Sequence, residues 1–215
     1  MAILQIKEFS LSTTVDRAQA ALYNETEIRE IAQAVCKSSF AEYCVPSEIA
    51  LGKENELYSY ELVVPLFNRM ASITFGPIDV AVVFKRGTTQ NDLNLMIAVT
   101  LEALEIGKLQ PAKRNALSFA AHAVFETQVA YDAHMNKFLS LSGGVKSGGT
   151  ILVVDLPEGL GQMRYASEQS LTHPHGIFLA VTAHPPGAIN KETYSTLAAC
   201  LKTVAALEGF IFAEQ

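Results

Sequence analysis

At 215 residues, 49% of them apolar, the chain has the material for a single large core and none of the low-complexity tracts of a disordered protein. Only 18% of its residues are charged, below the roughly 25% of an average globular chain, so some of its surface is expected to be hidden in a homo-oligomer. The net charge is −6, and no basic run exceeds the pairs Lys85-Arg86 and Lys113-Arg114; this argues against a nucleic-acid partner, because binding a phosphate backbone takes several clustered cations.

Lys7 and Glu8 interrupt the N-terminus where a signal peptide has its apolar stretch, and Glu102 cuts the best apolar run, Leu93 to Leu104. No membrane span is expected. Cys36, Cys44 and Cys200 are odd in number and lack C-x-x-C spacing, which suits free thiols and a cytoplasmic location.

In chain order, Ile3 to Phe9 reads as an opening strand, and Thr14 to Tyr23 as a helical turn or loop. Asn24, with Glu27 three residues on, caps a helix over about 25–37. Ser38 to Asn55 reads as irregular. Strands follow over Leu57 to Phe67, Ala71 to Phe75 and Ile78 to Phe84, the last apolar on both faces except for Asp79. A helix from Asn91 to Ile106 carries the stripe Leu93, Ile97, Leu101, Leu104 and stops at Gly107. Pro111 then opens a long helix to about Leu141. A glycine-rich loop (Ser142 to Gly149) leads to a strand over Thr150 to Asp155. A long connection, Leu156 to Pro174, precedes the strand Gly176 to Ala183. Asn190 caps a helix to Leu207, and Gly209 to Ala213 is a terminal strand. The segments Ile78 to Gly107 and Ile177 to Gly209 echo one another as strand, loop, asparagine and helix, the pattern of a duplicated strand–helix unit.

Three places carry candidate chemistry. Asp155 ends one strand and His173-Pro174-His175 begins the next; paired as antiparallel neighbours, those strands would bring Asp155 and His175 together. A carboxylate beside an imidazole orients it as a general base, which makes Asp155, His173 and His175 the catalytic candidates. Glu158, Arg164 and Glu168 ride on the same connection. A divalent metal there is the lesser alternative, and no metal ligands are assigned. Second, Lys85, Arg86 and Thr88 precede one helix and His184 precedes another; these are the candidate ligand-binding residues for a small anion at a helix N-terminus.

Third, Ser142 to Gly149 superficially resembles a phosphate loop. Val145 breaks its G-K-[ST] motif and the order is helix to strand, so it is rejected as a nucleotide site. His122 and Glu126 are read as i, i+4 neighbours on the long helix, with His134 twelve residues from His122, about 18 Å along the axis and too far to share one metal with it. G-x-S-x-G, H-E-x-x-H and Rossmann glycine patterns are all missing, and no cofactor is indicated.

The expectation is therefore one α+β domain spanning 1–215. It has a mixed, largely antiparallel sheet of about five to seven strands covered by three to four helices. Its role is that of a homo-oligomeric binding or interaction protein, dimerising through a helical hairpin over 91–141. The alternative is a small-molecule enzyme, hydrolase- or lyase-like, centred on the 155–175 loop.

Overall fold

The computed structural model describes residues 2–16, 25–54, 59–87, 89–107, 115–139 and 148–212. These residues form ten strands and four α-helices in the order β1(Ala2–Asp16), α1(Glu25–Val35), β2(Ala50–Glu54), β3(Ser59–Leu66), β4(Ala71–Phe75), β5(Asp79–Gly87), α2(Gln90–Ile106), β6(Asn115–Phe125), α3(Gln128–Leu139), β7(Gly149–Asp155), β8(Gln162–Gln169), β9(Gly176–Ala183), α4(Lys191–Leu207) and β10(Phe210–Phe212). Strands β2-β3-β4-β5-β1-β6-β9-β8-β7 lie side by side, each antiparallel to its neighbour, and β10 adds in parallel to the start of β1. Among the described residues no helix is long and apolar enough to cross a membrane.

The mixed α+β class and the largely antiparallel sheet are as the sequence implies, with four helices but ten strands instead of five to seven. Two errors account for most of the difference. Residues 115–125 form a central strand, not part of a helix running from Pro111 to Leu141. Pro111 itself lies outside the described residues. The alanines of this segment favour helix locally, but Leu117, Ala121, Ala123 and Phe125, with Phe119 partly buried among them, face inward in strand alternation. The helical hairpin over 91–141, and the dimer surface it was to supply, therefore do not exist as such. The second error is the connection Leu156 to Pro174, which contains β8. Met163, Tyr165 and Ser167 alternate inward there between polar residues. β1 also runs to Asp16, well past Phe9, and β2 lies inside the stretch read as irregular.

One face of the sheet is buried and the other is not. The row Leu62–Phe75–Val80–Val15 across β3, β4, β5 and β1 is buried throughout, whereas Ser10–Ala120–Ala180–Ala166 on the opposite face is only half-buried. A register shift between Ile6 and Glu8 gives β1 one extra residue at Lys7. It keeps Leu4 and Phe9 on the same face despite their odd separation. The helices pack on that face: Ile28, Ile31 and Val35 of α1, Met96, Val99 and Ala103 of α2, and Leu197, Leu201 and Val204 of α4 join its core.

The chain passes twice through one arrangement. After β1 come a helix, a run of strands ending in β5, and α2; after β6 come a helix, a run of strands ending in β9, and α4. β5 lies against β1 as β9 lies against β6, and β1 and β6 pair down the middle, Thr13 opposite Leu117. Both α2 and α4 start with a capping box, Thr89 with Asp92 and Asn190 with Thr193.

Candidate functional site

The sheet order separates the residues that the sequence suggested as one site. β8 lies between β7 and β9, with Asp155 opposite Gln162 and Gln169 opposite Ile177. Asp155 is therefore a strand length, roughly 24 Å, from His173 and His175. Its carboxylate accepts a hydrogen bond from Gln162 Nε2 (3.0 Å) on the exposed edge. Of the residues on the connection, Arg164 and Glu168 lie on β8, and the Glu158 side chain lies outside the described residues.

The two strand-to-helix loops do not combine either. Lys85 on β5 and His184 after β9 are three strand spacings apart, roughly 14 Å across the sheet. Lys85 is exposed, and His184 Nδ1 lies 3.1 Å from the Asn115 carbonyl. Thr88, the Arg86 side chain and most of the glycine-rich loop lie outside the described residues.

His173 instead joins a cluster on the half-buried face. Strand pairing sets Glu8 opposite His122 and His122 opposite Phe178. The turn after β8 then folds His173 over them, its ring 5.4 Å from that of His122 and its Nε2 3.5 Å from Glu8 Oε1. Ser170 Oγ lies 2.9 Å from His122 Nδ1 and accepts the backbone N–H groups of Thr172 and His173. Thr172 Oγ1 lies 3.3 Å from Ser170 Oγ and 3.2 Å from the same His122 Nδ1, so two hydroxyls converge on that ring nitrogen. Burial pushes the His122 pKa below its ordinary value, which agrees with a neutral ring; Glu8 opposes that shift and His173 reinforces it. A serine held this way shapes the turn and is poorly placed as a nucleophile. Among the described residues no group of three or more His, Cys, Asp or Glu side chains is placed to hold a metal ion.

His122 was expected to face Glu126 along a helix; on a strand it faces Glu8. His175 takes a left-handed backbone (φ 57°) and sets its ring edge-on to Tyr131 of α3, while His134 is buried between Phe125 and Phe210. Cys44 is half-buried beside the Phe40 carbonyl, and burial raises its thiol pKa, so it is a poor thiolate nucleophile.

A larger feature lies on the helix-covered face. Tyr194, in the first turn of α4, reaches down to the central strand, where its hydroxyl lies 2.7 Å from Thr13 Oγ1 and also bonds the Thr100 side chain of α2. The two helices meet there. Away from that point they leave a cleft of about 960 Å³ over β1 and β6. Its floor is Phe9, Leu11, Leu117 and Phe119, its walls include Leu93 and Ile97 of α2 and Ala198 of α4, and residues of β10 line one end. Gly87 keeps the α2 wall close to the floor: a Cβ at Gly87 would lie 2.6 Å from Met96 Cε and 2.7 Å from Phe9 Cε2.

No family model matches this chain, and no curated protein does. The cleft lies between the two passes of the fold, roofed by neither, and this explains why sequence reading missed it. Its residues come from β1, α2, β6, α4 and β10, and no short motif spans them. The available signal was the alternation Phe9, Leu11, Thr13, Val15, which identifies a central strand once Thr14 to Asp16 is read as sheet.

Proposed function

We propose that this protein is a binding protein that takes an elongated apolar molecule into the cleft between α2 and α4. The observation that carries the reading is the cleft itself: about 960 Å³, floored by Phe9, Leu11, Leu117 and Phe119 and only partly roofed. That volume falls at the upper end of the roughly 300–1,000 Å³ typical of small-molecule sites. An unroofed apolar surface of this kind costs free energy in water that an apolar ligand recovers on binding. Its polar lining residues include Gln90, Asn94, Lys191, Ser195 and Lys202, all carried on α2 and α4.

A duplicated unit of strand, helix, a run of strands (four in the first copy, three in the second) and helix, joined through β1 and β6, accounts for the placement of the cleft on the seam between its copies. Homo-oligomerisation and a cytoplasmic location are part of the same proposal. The edge strand β7 supports self-association, because it exposes Ile151 and Val153 and carries no charge before Asp155. An enzymatic role at Asp155, His173 and His175 has lost its geometric support.

Nile red, a neutral dye that brightens in apolar surroundings, tests the reading. The wild-type protein is expected to bind it with a saturable, blue-shifted signal, and Ala198→Trp, which fills the cleft from its α4 wall, to lose that signal while staying folded by circular dichroism. Equal binding by the folded variant would place the apolar site elsewhere.

A further inference from the structure

Among the described residues, those lining the cleft include two lysines, Lys191 and Lys202, and no aspartate or glutamate. The chain as a whole carries 22 acidic and 16 basic residues, so the rim has the opposite sign to the rest of the molecule. Neither lysine is held in an ion pair among the described residues. An apolar floor under a cationic rim complements a ligand with an apolar tail and one negative charge.

The two lysines are not equivalent. Eleven residues separate them, roughly 16 Å along α4. Lys191 is in the first turn of α4, beside the closed end where Tyr194 meets Thr13 and Thr100. Lys202 is three turns on, towards β10, and shares the lining with the opening residues of α2, Thr89 and Gln90. A tail laid over Phe9, Leu11 and Phe119 towards the closed end leaves its head group at Lys202.

The size of the cleft favours a single chain over a polypeptide. A helix of three turns, 10–12 Å across and about 16 Å long, occupies roughly 1,300 Å³ or more, so it would stand out of the cleft with part of its surface in water, whereas a single aliphatic chain lies within it. We infer that the occupant is a free long-chain aliphatic carboxylate, its tail over the β1–β6 floor and its carboxylate at Lys202. This rests on the cleft being the apolar site.

The test compares three probes with the same twelve-carbon tail, dodecanoate, dodecanol and dodecyltrimethylammonium, by displacement of Nile red or by calorimetry. A solvated ion pair at the rim contributes up to about 5-fold in affinity. Dodecanoate is therefore expected to bind about 5-fold more tightly than dodecanol, and the ammonium more weakly than either. Lys202→Glu should weaken dodecanoate about 10-fold and leave dodecanol unchanged, with Lys191→Gln having little effect. Lengthening the carboxylate should tighten binding about 4-fold per methylene until the floor is covered.

Equal affinity for all three probes, or dodecanoate binding indifferent to Lys202→Glu, would overturn the carboxylate assignment and leave the cleft reading standing. Binding of none of the three would overturn both. Two further results would hand the cleft to a different occupant. One is an acidic amphipathic peptide that binds far more tightly than any of the probes. The other is a dimer of the wild-type protein that Ala198→Trp dissolves.

Discussion

Replacing Tyr194 by phenylalanine should loosen the closed end of the cleft and lower stability measurably. The hydroxyl bridges residues 181 positions apart in the chain, and both ends are buried: Thr13 is 0% and Tyr194 4% exposed. A neutral hydrogen bond contributes about 1 kcal/mol net, and a buried partner left unsatisfied costs about 1–3 kcal/mol. The expected loss for Tyr194→Phe is therefore about 2 kcal/mol, since the Thr13 hydroxyl has no water to turn to. With a urea dependence of about 2–3 kcal/mol per molar, the unfolding midpoint should fall by roughly 0.7–1 M. Thr13→Val removes the other hydroxyl, and the double variant should cost less than the sum of the singles, because no orphan remains between the two positions. A midpoint shift below about 0.1 M, or strict additivity in the double variant, would refute the claim that this contact pins α4 to the central strand.

Three more expectations follow from the same contacts. Burial raises the Tyr194 pKa to about 12, so between pH 10 and 12 the unfolded chain releases a proton that the folded one keeps. Tyr194 should therefore contribute a loss of about 1.4 kcal/mol per pH unit across that window, beside the loss from Tyr165, whose pKa burial also raises, and Tyr194→Phe should reduce the slope by its own share in urea titrations. Burial depresses the His134 pKa, with Lys137 adding to that shift and Glu208 opposing it. Its contribution is therefore full above the unfolded value near 6.5 and is lost as pH falls below it, and His134→Phe should flatten the acid limb of a stability–pH curve. Asn115 Nδ2 donates to the carbonyls of Pro185 and Gly187 and so ties β6 to the loop before α4; Asn115→Ala should cost about 1–3 kcal/mol in urea unfolding.

Much of the fold was legible where pattern and punctuation agreed. Residues 71–75 and 176–183 fall between turn signals, and the structure has strands with those bounds. Asn190 caps α4 as its side-chain chemistry implies. Pattern failed where local preference and tertiary position disagree. Ala116 and Ala120 helped make 115–125 look helical, yet a central strand in a sheet covered on one face needs only small residues on the other. That misreading displaced the functional reading too: with β6 taken as helix and β8 as loop, β7 and β9 became false neighbours, and Asp155 was joined to His175. His122 and Glu8 are 114 positions apart in sequence and adjacent in the sheet, a relation that only the strand order reveals. The cleft is hidden for the same reason, because its floor is a strand pair far apart in sequence.

The most direct test of the cleft is a methyl-resolved NMR titration with dodecanoate. Shifts confined to Leu11, Leu93, Ile97 and Leu117, with Ile151, Val153 and Leu171 unmoved, are the predicted result. Shifts centred on Ile151 and Val153 of the β7 edge, or no saturable shift at the cleft methyls, would contradict it.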